Sequence, residues 1–432
     1  MNVRKNGREH ASKLDRDTET VLLVFPSQFS IGRIDKLIAD IKDALRLKRV
    51  EPSEIIVEKE CIVFKLDDVV EGVAITGEMF GIDKVAIAKK VSTRFEEIVA
   101  QVVNIGKLKV LPNERFYVKV QISNDAKVDY KPRDLEFAST GELTATLQSS
   151  ASPSLTSFSR KSSTFSPSAS SPTSFARPAK NELVADRLIE IFIGKKSAYV
   201  CIEIDPGLGG LPFACQEEKV LCTIHNALSA ISCMAVLKCG FFPEIIILYT
   251  DDDDLRQNLK TFGMIVNKIN TKKYSIRLAR VEGLQKQLQK HQQPQHEISY
   301  KTILREIVAT EILTRMRGEG VAVPLSTAIH PLWLIELTLK KILSSNKIPW
   351  MPLLLPTQRI YDIAKALGME EHKLRLISDQ SCIIERLVNF TKQDHAKYRK
   401  SINFMTESAL KNMKTISFEI GPNYLHDILD SV

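Results

Sequence analysis

Apolar residues in the first 147 positions recur with two different spacings, and these spacings predict short strands alternating with helices. Period-two or continuous apolar runs are typical of strands, whereas apolar residues three and four positions apart are typical of amphipathic helices. The predicted strands are residues 21–25, 55–57, 61–64, 84–89 and 116–122. The predicted helices are residues 34–47, 69–79, 93–103 and 134–147. This order favours small α+β modules of the split βαβ type.

The second half of the chain has a different pattern. Residues 188–193 and 197–204 are predicted to form a hairpin around a turn that contains Gly194. Further strands are predicted at 220–224, 244–249, 275–278 and 321–323, and helices at 228–238, 254–269, 302–317 and 334–343. Continuous apolar strands alternating with helices predict a parallel sheet that is covered on both faces. The predicted fold class is therefore α+β N-terminal modules followed by an α/β domain with a doubly wound parallel sheet.

A serine-rich stretch separates these two patterns. Residues 149–174 contain 13 serines in 26 positions, with three prolines among them. Such a composition cannot bury enough apolar surface to offset the entropy lost on ordering, so we expect a flexible insertion at 148–180. Residues 386–432 are predicted to form a helical, basic extension. Both segments are candidate contacts for a protein partner.

Composition narrows the class of protein. The chain has 432 residues, 44% hydrophobic and 26% charged, which is typical of globular proteins. Its apolar runs are shorter than the ~20 residues of a membrane span, and its first 17 residues lack the apolar segment of a secretory signal. Seven cysteines without C-x-x-C spacing predict reduced, mostly buried thiols and no zinc site. We expect a cytoplasmic protein without a membrane contact.

The net charge permits a nucleic-acid partner without requiring one. Sixty basic and 52 acidic side chains give a formal charge of +8. Basic and acidic residues are equally numerous before residue 148, so a phosphate-binding face there must arise from local clusters. The alternative is that these clusters simply face solvent. The RNA-binding candidates are Arg46, Lys48, Arg49, Lys89, Lys90, Lys119, Arg133, Lys301 and Arg305.

Several short motifs occur in an order that resembles the tRNA 4-thiouridine synthetases, also called tRNA sulfurtransferases. Residues 207–212 read Gly-Leu-Gly-Gly-Leu-Pro and are similar to the family's junction between its RNA-binding and catalytic domains. Residues 80–82 (Phe-Gly-Ile), 116–120 (Phe-Tyr-Val-Lys-Val), 300–313 and 350–368 resemble other family segments. The resemblance covers roughly residues 20–385. It implies tRNA or another structured RNA as the partner.

The resemblance also implies an order of domains along the chain. After a flexible tail at 1–19, a ferredoxin-like domain would span 20–88. A THUMP RNA-binding domain would span 89–205, interrupted by the serine-rich insertion. An adenine nucleotide alpha hydrolase-like domain, of the ATP-pyrophosphatase type, would span 206–385, and the helical extension would follow at 386–432.

The family's pyrophosphate loop, Ser-Gly-Gly-x-Asp-Ser, is replaced in this chain. The matching positions are His225, Asn226, Ala227, Leu228 and Ser229. Glycines let a backbone approach phosphates closely, and the acidic residue helps to hold magnesium. Both features are absent here, so we expect no cofactor, with ATP and Mg bound only if the divergent loop still works. A helix N-terminus remains as a weak anion site.

Two further positions bear on catalysis. Residues 321–331 take the place of the family's Thr-Gly-Glu…Gly-Gln nucleotide-binding turn and lack its glycine and acid. Cys382 stands about where the family places a sulfur-transfer cysteine, but no neighbouring cysteine is present to act as its resolving partner. Cys382 is therefore either the catalytic thiol or an incidental one.

Four consecutive acids, at 251–254, follow the second strand of the α/β domain. They would either hold a metal at the edge of the sheet or cap the next helix, where acids interact favourably with the helix dipole. The capping interpretation is favoured.

The sequence is consistent with three functions. The first is a tRNA-binding or structured-RNA-binding protein on a synthetase scaffold without adenylation, a pseudoenzyme. The second is an active ATP-dependent tRNA sulfurtransferase, making 4-thiouridine or supplying thiazole sulfur, with a divergent loop. The third is a non-catalytic subunit of an RNA-modification complex.

Overall fold

The computed structural model describes most of the chain and divides it into two compact units. The first unit comprises the described residues of 1–26, 48–77 and 83–206, and the second those of 27–47, 78–82 and 207–432. Each unit contains one β-sheet. The described residues are 19–150, 175–266, 268–269, 271–284, 297–327, 330–354, 357–366, 392–421 and 423–431.

The first unit is built on an eight-stranded sheet with the order β2-β3-β1-β4-β8-β7-β5-β6. Its pairs are antiparallel at β2/β3, β1/β3, β4/β8 and β7/β8, and parallel at β5/β7 and β5/β6. The strands are β1 (Thr20–Pro26), β2 (Glu54–Val57), β3 (Ile62–Lys65), β4 (Ile82–Val91), β5 (Arg115–Ile122), β6 (Arg177–Pro178), β7 (Arg187–Ile193) and β8 (Ala198–Pro206).

Two long helices of the first unit, at residues 95–109 and 132–150, pack against part of its sheet. Helix α1 (Ile34–Leu47) belongs to the second unit, and the first unit contains α2 (Val69–Gly77), α3 (Phe95–Lys109) and α4 (Pro132–Ser150). Apolar residues of α3 and α4, such as Val102 and Leu143, share a buried cluster with Phe116 of β5 and Ile191 of β7. Gly106 lies against Leu143, where a larger residue would clash. This close approach explains a glycine inside α3.

The second unit contains a six-stranded sheet with the order β13-β12-β9-β10-β11-β14. The neighbouring strands pair in parallel except for β11 and β14, which are antiparallel. The strands are β9 (Lys219–Ile224), β10 (Phe242–Tyr249), β11 (Lys273–Arg280), β12 (Gly320–Ala322), β13 (Ile348–Trp350) and β14 (Lys414–Glu419). The helices are α5 (Ala227–Lys238), α6 (Asp252–Val266), α7 (Glu297–Arg315), α8 (Leu332–Ser344), α9 (Thr357–Ala366), α10 (Lys392–Lys411) and α11 (Tyr424–Asp430).

Both faces of this parallel sheet are buried. Successive β9 residues alternate between two apolar clusters, with Cys222 in one and Leu221 in the other. Going from β9, the chain first adds β10 on one side and later adds β12 on the other. The carboxyl end of β9 is therefore a topological switch point, the place where open α/β sheets usually bind ligands.

The α/β architecture predicted for the second half is confirmed, as is the β7/β8 hairpin, closed by a bond from the Gly194 N–H to the Ser197 carbonyl. The extension is not helical throughout, because β14 lies within it and pairs with β11. Ile416 and Phe418 alternate as buried residues on β14, so the strand completes the edge of the sheet. The flexible insertion predicted at 148–180 is too long at both ends, because α4 continues to Ser150 and β6, at 177–178, pairs with β5. Its middle, residues 151–174, lies outside the described residues.

Within the described residues, no helix combines the length and apolar character that crossing a bilayer requires.

Candidate functional site

The turn at the switch point is closed by its own side chains. Asn226 is the N-cap of α5, and its Oδ1 accepts a hydrogen bond of 2.8 Å from the Ser229 N–H. The Ser229 hydroxyl returns the interaction by accepting from the N–H groups of Asn226, at 3.1 Å, and His225, at 3.0 Å. This is a capping box, which satisfies backbone donors that an anion would otherwise bind.

The Ser229 hydroxyl has no remaining capacity for a ligand. Besides accepting two hydrogen bonds, it donates one of 2.7 Å to the Asn226 carbonyl. A hydroxyl offers one donor and two acceptor positions, so all three are used. Ser229 itself is 1% exposed, whereas Asn226 and Ala227 are half-buried.

A buried carboxylate from α7 lies beside the same turn. Glu306 Oε1 accepts a hydrogen bond of 3.0 Å from the Asn226 amide and lies 2.9 Å from His225 Nε2. Burial acts to raise the pKa of Glu306, but charge and hydrogen bonding from His225, with further contributions from His330 and Asn226, outweigh it and lower the pKa. The ionised carboxylate is therefore held by neighbours within the protein.

The segment after β12 contributes a second histidine to this region. His330 is 3% exposed, and its Nδ1 accepts a hydrogen bond of 3.1 Å from the Ser326 N–H. Burial lowers the pKa of His330, although the charge of Glu306 opposes the shift. His225, Asn226, Ser229, Glu306 and His330 are called the switch-point cluster below.

The acidic run at 251–254 caps α6. The Asp254 N–H donates to Asp251 Oδ1 at 2.9 Å, and Asp254 Oδ2 accepts from the Thr250 N–H at 2.8 Å. Asp254 also forms an ion pair with Arg305, whose guanidinium lies 2.7 Å from Oδ2 and 3.1 Å from Oδ1. The capping interpretation is confirmed. Within the described residues, no group of three or more His, Cys, Asp or Glu side chains is placed to hold a metal.

The structure places the RNA-binding candidates in different environments. Arg305 is 8% exposed and also donates 2.7 Å to the Leu248 carbonyl, so its role is structural and it is not a surface contact. Lys90 lies 3.4 Å from Glu19, and Lys119 lies 2.7 Å from Glu182. Lys301 lies in α7. The exposed candidates are Arg46, Lys48, Arg49 and Arg133.

One candidate, Lys89, lines a cavity of about 840 Å³ in the first unit. Lys107 and Lys109 of α3 and Arg187 of β7 line the same cavity, and sequence analysis did not select them. Lys109 donates 3.0 Å to the Leu188 carbonyl, and burial lowers its pKa. The set Lys89, Lys107, Lys109 and Arg187 is called the basic cavity below, and its carboxylates are Asp186 and Glu203.

Cys382 lies outside the described residues. The six other cysteines are free thiols, and four of them are buried, in agreement with the prediction. Burial raises the pKa of Cys201 to about 12, which makes this thiol a poor nucleophile.

Sequence analysis missed Glu306 and His330 as members of the switch-point cluster. They are separated from the β9–α5 turn by about 80 and 105 positions in the sequence, and only the winding of the sheet brings them close. Lys107 and Arg187 were missed because they are about 80 positions apart in the sequence, and only the fold brings them to one cavity. The sequence feature that could have indicated this surface is Lys107 next to Leu108, an apolar residue that is exposed on the helix.

Comparison with known proteins gives matches by structure alone. No protein-family model and no curated protein matches the sequence. A 4-thiouridine synthetase solved as an RNA complex with bound ATP aligns over 93% of this chain and all of its own, with a TM-score of 0.59 and 13% identity. The protein PH1313 from Pyrococcus horikoshii aligns over 81% of this chain and all of its own, with a TM-score of 0.54 and 18% identity. The chain therefore shares the overall fold of a 4-thiouridine synthetase.

Proposed function

We propose that this chain is a cytoplasmic protein that binds tRNA or another structured RNA and does not adenylate it. The observation that carries the proposal is the closed turn between β9 and α5 on the fold of a 4-thiouridine synthetase. That neighbour was solved with both RNA and ATP bound. We propose that this chain has kept the first ligand and lost the second.

Two features of the turn speak against bound ATP·Mg. The N–H groups of His225, Asn226 and Ser229 already have side-chain acceptors, so a phosphate would have to break the capping box. Glu306 Oε1 accepts from the Asn226 amide and lies 2.9 Å from His225 Nε2, so this oxygen would have to leave both partners to coordinate magnesium. Breaking satisfied buried hydrogen bonds costs about 1–3 kcal/mol each. The residues present do not fit the group.

The first unit supplies the features that favour RNA. We assign its strands and helices to the ferredoxin-like and THUMP modules that the resemblance implies. The basic cavity brings four cationic side chains together against two carboxylates, which gives a surplus of two positive charges. Phosphate groups are bound chiefly by such lysine and arginine clusters, and their contribution to affinity depends on salt.

The two halves of the proposal are tested separately with the purified chain. In filter binding, we expect bulk tRNA to be retained with an affinity that falls steeply as salt rises. In calorimetry, we expect no heat of binding at millimolar ATP with magnesium. Adenylate formation on tRNA would contradict the loss of catalysis, and absence of salt-sensitive retention would contradict RNA binding.

A matched pair of charge reversals locates the RNA surface. Lys89→Glu should weaken tRNA retention, because it places a negative charge in the basic cavity. Lys196→Glu makes the same change at an exposed position of the β7/β8 turn, outside the cavity lining, and should have a much smaller effect. Equal losses for both variants would reject the basic cavity as the binding surface.

A further inference from the structure

A second cavity lies in the second unit, among helices α7, α8 and α10, and is separate from the switch-point cluster in its lining residues. Its volume is about 360 Å³, within the range of small-molecule sites. The charged and titratable side chains that line it are Glu311 and Arg315 of α7, Lys341 of α8, and His395 and Arg399 of α10. Three helices thus contribute at least one cationic or titratable side chain each to a single concave space.

The charges in this cavity are unbalanced. Glu311 is the carboxylate of the lining within the described residues, and it lies 2.9 Å from Lys341 and 3.6 Å from Arg315. Glu407 lies 3.8 Å from Arg315, is 73% exposed and does not line the cavity. Arg315, Lys341 and Arg399 are exposed as well, so solvent screens all of these charges in part. One carboxylate therefore faces three permanent cations. An anion bound in this cavity would be attracted by all three cations.

Hydrogen-bond donors and apolar groups are both present. Arg315 donates to the Asn403 side chain at 3.3 Å, which orients its guanidinium. Ile307, Leu337 and Ile402 form apolar parts of the wall. A planar guanidinium matches the oxygens of a phosphate geometrically, and an ammonium supplies a compact point charge. The combination suits a ligand with a doubly charged oxyanion and a small organic body.

We propose that this cavity binds a small phosphate monoester, with the phosphate held by Arg315, Lys341 and Arg399. A surplus of two positive charges matches the dianionic charge of a phosphate monoester near neutral pH. The site is independent of the proposed RNA-binding function, because none of its residues belongs to the basic cavity.

His395 reports on occupancy of the site. Burial lowers the pKa of His395, Glu311 opposes that shift, and Arg399 and Lys341 lower the pKa further. A bound dianion would offset the two cations, so we expect phosphate to raise the pKa of His395 in an NMR titration. His395→Gln identifies the resonance.

The test uses the full chain, with inorganic phosphate as the probe at constant ionic strength. Calorimetry should give a Kd at or below about 1 mM, and the melting temperature should rise with phosphate concentration. Arg399→Gln and Lys341→Gln should each weaken binding by about tenfold, the loss of one charge-assisted contact. The controls are Lys400→Gln and Lys340→Gln, at adjacent residues that are likewise exposed but do not line the cavity, and they should bind as the parent does.

Two results would overturn the proposal. One is absence of phosphate binding by the folded parent chain, which would leave Glu311, Lys341 and Arg315 as a structural ion-pair network. The other is an equal effect of Arg399→Gln and Lys400→Gln, which would indicate general electrostatic attraction. A parallel tRNA titration distinguishes the sources of phosphate: Arg399→Gln should leave tRNA affinity unchanged, and loss of tRNA binding without loss of phosphate binding would assign the cavity to RNA instead.

Discussion

The switch-point cluster and the basic cavity use polar side chains in opposite ways. In the cluster, Asn226, Ser229 and Glu306 form hydrogen bonds with one another and with the backbone. The Ser229 hydroxyl has no donor or acceptor position left for a ligand. In the cavity, Lys107 is exposed and its neighbours border an open space of about 840 Å³. A polar group with satisfied partners stabilises the fold, whereas a charged group facing solvent remains able to recognise a ligand.

A position where the fold usually binds a ligand therefore need not carry side chains that are able to bind one. The carboxyl end of β9 is where an α/β sheet of this order is expected to bind a ligand. Here the position is kept, while Asn226, Ser229 and Glu306 bond to each other and to the backbone. Substitutions in the cluster should therefore change the free energy of unfolding, and substitutions in the cavity should change RNA affinity.

The largest effect is expected for Glu306→Ala. The carboxylate is 2% exposed and joins His225 to Asn226, so its removal leaves buried donors without an acceptor. We expect a loss of about 3–5 kcal/mol in the free energy of unfolding, measured by urea denaturation. Glu319→Gln, at an exposed position of the same unit, should change it by less than about 0.5 kcal/mol. A loss below that of the control would contradict a structural role for Glu306.

A smaller effect is expected for Ser229→Ala, which removes the acceptor of the His225 and Asn226 N–H groups. The expected loss is about 1–2 kcal/mol, the usual value for a broken cap. The same urea experiment measures it, and tRNA retention by the folded variant should equal that of the parent. ATP affinity should be measured as well. If Ser229→Ala bound ATP measurably, the capping box would be what prevents the parent chain from binding the nucleotide.

The fold was largely predictable from the sequence because local periodicity determines its elements. Helix α1 is predicted with its observed bounds, and strands β9 and β10 follow from continuous apolar runs. Strand β14 was missed although Ile416 and Phe418 alternate, because it follows a basic helical pattern and its partner β11 is distant in the sequence.

The site was only partly predictable. The turn at 225–229 could be found because it follows the first strand of a parallel sheet. The capping box that closes it was not predicted, because it depends on the rotamers of Asn226 and Ser229. Glu306 was not predicted there either, because only the tertiary placement of α7 brings it to the turn. Arg305 shows the opposite error: a basic residue read as a nucleic-acid contact pairs with Asp254 in the interior.

His330 should make the stability of the fold depend on pH. Because burial lowers the pKa of His330, the unfolded chain takes up a proton as the pH falls through the ordinary value of 6.5, while the folded chain does not. Stability should therefore decrease below pH 6.5 with a contribution of up to about 1.4 kcal/mol per pH unit. His330→Asn should reduce this slope in urea titrations between pH 5 and 7, whereas the exposed control His426→Gln should keep it. Equal slopes for the parent and His330→Asn would contradict the assignment.

The smallest effect is expected for Lys107→Gln in the basic cavity. Lys107 is exposed and borders the cavity, so its substitution should leave the free energy of unfolding within about 0.5 kcal/mol of the parent. Removal of one phosphate contact should lower the salt dependence of tRNA binding by about one unit, in a plot of log affinity against log salt concentration. The loss should be the same for tRNAs of different sequence, because a phosphate contact carries no base information.

An exposed lysine outside the lining, Lys127, provides the control, and Lys127→Gln should leave the slope unchanged. If both variants lower the slope equally, the chain attracts RNA through its overall charge, and the contrast between a closed cluster and a recognising cavity no longer holds.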